Sequence, residues 1–108
     1  MGFKRKHSRI QSGRVGQLQK GSFVAQCKVV DVSETGVRLE SRMAVKLQET
    51  VQLLIECGKA ETVMCKIQVM HVHGTVIGAK IVSITPEDQA RFTRMLDDDA
   101  ENAFSRRW

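Results

Sequence analysis

The chain has no tyrosine, one tryptophan, one proline and three cysteines in 108 residues, and only 5% of it is aromatic. That shortage counts against a nucleic-acid-binding barrel, in which bases stack on aromatic side chains interleaved with basic ones. Here Phe3, Phe23, Phe92 and Phe104 are scattered. Cys27, Cys57 and Cys65 are odd in number, too widely spaced for a Cys-x-x-Cys pair and set in apolar runs, so they read as buried or half-buried free thiols. His71 and His73 would share one face of a strand, but no third ligand accompanies them, and no metal site is expected. No apolar run approaches the roughly eighteen residues of a spanning helix. The first residues carry charge without the apolar core of a signal peptide. A cytoplasmic protein with no membrane insertion is the expectation. Neither a nucleophile and base nor a metal cluster stands out, so no enzyme activity and no cofactor are expected.

What is present is one domain's worth of chain, 42% hydrophobic, enough for a single core without staples. Charge is unevenly placed. Residues 1–20 hold Lys4, Arg5, Lys6, Arg9, Arg14 and Lys20 and no acid, whereas the remainder has eleven basic against twelve acidic residues. The basic stretch also carries Gly2, Gly13 and Gly16 and little apolar content. It is therefore predicted to be a flexible arm, residues 1–20, ahead of a folded unit at 21–108.

That unit reads as strands. Ser22–Val32 is rich in β-branched residues, and Gly36–Arg42 alternates apolar with polar. Thr50–Cys57 follows, then Glu61–Val72, with Val63, Cys65, Ile67 and Val69 on one face. Gly74 makes a hairpin turn into Thr75–Ile84. Short strands at near-regular spacing predict a small antiparallel barrel. One helix closes the chain: Thr85 suits the N-cap, Pro86 the first position and Glu87 and Asp88 the first turn. Phe92, Leu96, Ala100 and Ala103 fall on one face with Met95 beside them, predicted to pack on the barrel.

Two polar clusters carry the chemistry. Arg5-Lys6-His7-Ser8-Arg9 sets two guanidinium forks four residues apart, suited to phosphate oxygens and to the O6/N7 edge of guanine. Asp31-Val32-Ser33-Glu34-Thr35-Gly36 supplies a carboxylate, a hydroxyl and a glycine at a turn. Such a cluster alone also suits an ordinary β-turn with no ligand. The pair, Arg-x-x-x-Arg followed by Asp-x-Ser-x-x-Gly ahead of a small barrel and a final helix, resembles the PilZ domain. The resemblance extends to Gly78 in the last hairpin and covers essentially the whole chain; Ile81 stands where many members have phenylalanine.

The resemblance implies an all-β fold dominated by a barrel of about six strands, with a C-terminal helix, that binds cyclic di-GMP. Arg5 and Arg9 would grip phosphate and guanine, and Asp31 would accept from guanine N1 and N2. Ser33 would contact guanine or orient its neighbours, and Gly36 would allow a backbone conformation or close approach that a Cβ obstructs. Lys4 stands where the family's residue governs whether one ligand or an intercalated pair binds. The implied role is a ligand-switched adaptor that signals to a partner protein in motility, biofilm or related control. Residues 1–20 would fold over the barrel rim when the arginines close on the ligand. Two alternatives stay open: a basic barrel that binds nucleic acid, and an adaptor that binds protein without nucleotide.

Overall fold

Period-two alternation builds nearly the whole molecule. The computed structural model describes residues 9–58 and 60–105. Six strands and one helix follow in order: β1 (Ile10–Lys20), β2 (Phe23–Val32), β3 (Gly36–Ser41), β4 (Thr50–Gly58), β5 (Glu61–His73), β6 (Val76–Ile84) and α1 (Pro86–Ser105). The strands close into an antiparallel barrel in the order β1-β2-β3-β6-β5-β4. Val63, Cys65, Ile67 and Val69 of β5 point inward as their spacing predicts, and Val51, Leu53 and Ile55 of β4 meet them.

The hairpins are tight, with Gly21 and Gly74 at positive φ in two-residue loops. A glycine first in such a loop supplies the backbone twist that flanking strands need.

The N-terminal boundary differs from the sequence expectation. Ile10–Lys20 form a full barrel strand, paired with β2 along its length and with β4 through Gly16–Gln19. Its glycines are the reason it looked like an arm. Gly13, at φ +81°, sits in a bulge, and Gly16 lies so near β4 that a Cβ would meet the Leu54 carbonyl oxygen. Gly78 lies in β6, the second strand of the last hairpin, as expected.

Thr85 caps α1 as expected: its Oγ1 accepts from the Asp88 backbone N–H at 3.2 Å and donates to the Asp88 carboxylate at 3.0 Å. Phe92, Met95 and Leu96 are buried against the barrel. The stripe then departs from prediction. Ala100 is exposed, and Asp99, 5% exposed, takes the inward position; the side chain of Ala103, like Trp108, lies outside the description. Asp99 tolerates burial because Arg14 brings Nη2 to 3.0 Å and Nε to 3.1 Å of Oδ1, while Ser12 Oγ donates to Oδ2 at 3.0 Å. The helix is thus tied to the bulged start of β1.

All three cysteines are free, as expected. Burial pushes the Cys27 thiol up to about 11 and the Cys65 thiol up to about 12, and raises half-buried Cys57 as well. A raised pKa keeps a thiol protonated and unreactive. Iodoacetamide at pH 8 is therefore expected to alkylate Cys57 first and to reach Cys27 and Cys65 only as the barrel unfolds. Peptide mass spectrometry reads this out, and equal labelling of all three would contradict it.

Candidate functional site

Asp31 is the centre of the candidate site, and a β-bulge puts it there. Cys27 and Val29 point into the barrel, so unbroken alternation would send Asp31 inward too. The register of β2 against β3 instead slips between Val29 and Asp31, making Val30 an extra residue. Past the bulge, Val32 faces the core opposite Val37 and Asp31 faces outward opposite Arg38.

Among the described residues, its carboxylate has two cationic neighbours. Arg9 Nη1 donates to Oδ1 at 2.9 Å, across 22 residues of sequence. Arg38 donates to Oδ2 through Nε at 3.0 Å and through Nη2 at 2.5 Å. The Asp31 side chain is 6% exposed, whereas those of Arg9 and Arg38 are 46% and 50% exposed. A nearly buried acceptor thus stands beneath two half-open donors.

Beside it, the turn after β2 is held by Ser33. The buried Ser33 Oγ accepts from the backbone N–H of Thr35 at 3.3 Å and of Gly36 at 3.2 Å, and Ser33 N–H donates to the Gly36 carbonyl at 2.9 Å. The hydroxyl thereby shapes the turn. The turn is also tied to β6, since Ile81 N–H donates to the Thr35 carbonyl at 2.9 Å. Gly36 is required by close approach: a Cβ there would sit 2.7 Å from the Ala79 carbonyl oxygen.

A family model for the PilZ domain matches residues 3–98. This chain belongs to the PilZ family. No curated protein matches it. Among solved structures, the chain is similar to the PilZ domain with c-di-GMP of YcgR from Escherichia coli. That likeness has a TM-score of 0.76 and 12% identity over 95% of this chain and 96% of the other. It is also similar to the Bacillus subtilis inhibitor of motility (MotI/DgrA), with a TM-score of 0.75 and 12% identity over 94% of this chain. This PilZ domain spans about half of that protein, 52% of its chain. At such identity the likeness is one of fold.

The barrel with its closing helix is therefore the PilZ architecture expected from the motifs. Of the six residues singled out from sequence, Arg9, Asp31, Ser33 and Gly36 lie together at one end of β2 and β3, and Arg5 and Lys4 lie outside the described residues. Arg38 is not among the six. The signal for it was available, since alternation in Gly36–Ser41 turns Arg38 outward and the hairpin brings β3 back along β2. The bulge hid the exact pairing with Asp31.

Proposed function

We propose that this PilZ domain binds cyclic di-GMP and passes the signal to a partner protein as an adaptor. The observation that carries the reading is the Arg9–Asp31 contact, which joins the second arginine of the Arg-x-x-x-Arg motif to the first residue of Asp-x-Ser-x-x-Gly. The ligand needs cationic forks for its phosphates and for guanine O6/N7, and carboxylate acceptors for guanine N1 and N2. The chain supplies both kinds at one place, with Ser33 and Gly36 shaping the rim on which they stand.

In this reading Arg5 and Arg9 grip the ligand, Asp31 reads guanine, and Lys4 sets whether one molecule or an intercalated pair is held. Because Ile10–Lys20 already belong to the barrel, ordering by ligand is not assigned to that stretch. The lever is Arg9, which stands immediately before β1 and exchanges Asp31 for the ligand.

Calorimetric titration with cyclic di-GMP, GTP and a single-stranded oligonucleotide tests this. Binding of cyclic di-GMP alone is expected, with Arg9→Ala weakening it about 10- to 100-fold, the worth of one or two charge-assisted hydrogen bonds. Oligonucleotide binding that survives Arg9→Ala, without cyclic di-GMP binding, would establish a nucleic-acid barrel instead. The molar ratio at the equivalence point also gives the stoichiometry.

A further inference from the structure

The two arginines on Asp31 are not equivalent. Arg38 comes from the middle of β3, directly opposite Asp31 on a paired strand, and puts two nitrogens of one guanidinium edge on a single oxygen, Oδ2. Its other cross-strand neighbour is Gly78, which brings no side chain to displace it. Arg9 precedes the first residue of β1 and makes one hydrogen bond, to Oδ1.

Acceptor accounting then separates their roles. A carboxylate has about four lone-pair positions. Among the described residues, Arg38 fills the two on Oδ2 and Arg9 one on Oδ1, leaving one. The Watson–Crick edge of guanine presents two donors, N1–H and N2–H, so the ligand needs both positions on Oδ1. Arg9 must leave for the base to be read, and Arg38 need not.

We propose that Arg38 is the positioning residue for guanine recognition in this protein: it stays on Oδ2 and aims Oδ1 at the base, while Arg9 is the exchangeable occupant of Oδ1. The inference rests on the cyclic di-GMP reading. It assigns two Arg38 nitrogens to Asp31 and none of the recognition to direct contact between Arg38 and phosphate. Lysine substitutes only in part, because an ammonium keeps the charge but does not lay two coplanar donors on one oxygen.

Cyclic di-IMP differs from cyclic di-GMP only in lacking the exocyclic N2 amine, so the ratio of the two affinities reports the Asp31 contact separately from phosphate binding. The ratio is measured by calorimetry on wild type, Arg38→Met, Arg38→Lys, Asp31→Ala and the Asp31→Ala/Arg38→Met double variant, each checked for folding by thermal melting. Wild type is expected to prefer cyclic di-GMP about tenfold, Arg38→Met to reduce the preference to within about twofold, and Arg38→Lys to fall between. On the Asp31→Ala background, Arg38→Met is expected to change neither affinity.

Equal weakening of both ligands with the preference kept, or a further loss in the double variant, would show that Arg38 touches the ligand directly and overturn the proposal. Wild type that binds both ligands equally would overturn it too, by removing Asp31 as the reader of N2. Wild type that binds neither would defeat the cyclic di-GMP reading itself, and this proposal with it. If Arg38→Met does not fold, Arg38→Lys decides, because it keeps the charge and removes only the fork.

Discussion

Gly16→Val is expected to lower the thermal midpoint by roughly 10 to 20 °C, corresponding to about 3 kcal/mol for a domain of this size. A Cβ at Gly16 would lie 2.4 Å from the Leu54 carbonyl oxygen and 3.4 Å from Cys27 Sγ. The first of these is backbone on the neighbouring strand and cannot rotate away. Gly16 is also the first of the residues joining β1 to β4, a seam that runs only from Gly16 to Gln19. Pushing the strands apart there opens the barrel at its shortest ladder. Gly13→Ala is the informative comparison: nothing lies within 4 Å of its added Cβ, and only the positive φ is strained, at a cost of about 1 kcal/mol. Melting followed by circular dichroism distinguishes the two, and a Gly16→Val midpoint within a few degrees of wild type would refute the seam argument.

Asp31→Ala is expected to do the reverse, weakening ligand binding while sparing the fold. Loss of two charge-assisted hydrogen bonds to guanine corresponds to about 3 kcal/mol, or roughly a hundredfold in affinity for cyclic di-GMP. The stability change should stay within about 1 kcal/mol, because the arginines left behind are half exposed and resolvate, and pairs of that kind contribute little. The Arg14–Asp99 pair is different, since Arg14 is only 20% exposed and Asp99 5%. Calorimetry and melting on the same Asp31→Ala sample test both halves. Unchanged binding would remove Asp31 from the site, and a large fall in midpoint would make its role structural.

Much of the barrel was legible where inward residues repeat every second position, as in Val63, Cys65, Ile67 and Val69. The helix start was legible because Thr85, Pro86 and Asp88 each answer a local need of unpaired backbone groups. β1 was misread. Its glycines and positive charge resemble those of a mobile tail, and the reasons for them, a close approach to Leu54 and an ion pair with Asp99, lie 38 and 85 residues away. Ala100 was placed inward by helical spacing alone, and Asp99 displaced it because Arg14 and Ser12 were waiting at that position.

The same division holds at the site. Residue types by themselves determined that guanidinium forks and a carboxylate turn exist in this chain and suit a phosphate-bearing guanine ligand. The matching motifs identified the family. Only the tertiary structure decided which cations share the carboxylate. The bulge at Val30 reverses the face of every residue beyond it in β2, so it carries Asp31 out of the core and sets it opposite Arg38. A single unpaired residue is enough for this because side chains alternate with a period of two. Which residue is left unpaired is settled by the partner strand, and local sequence does not record it.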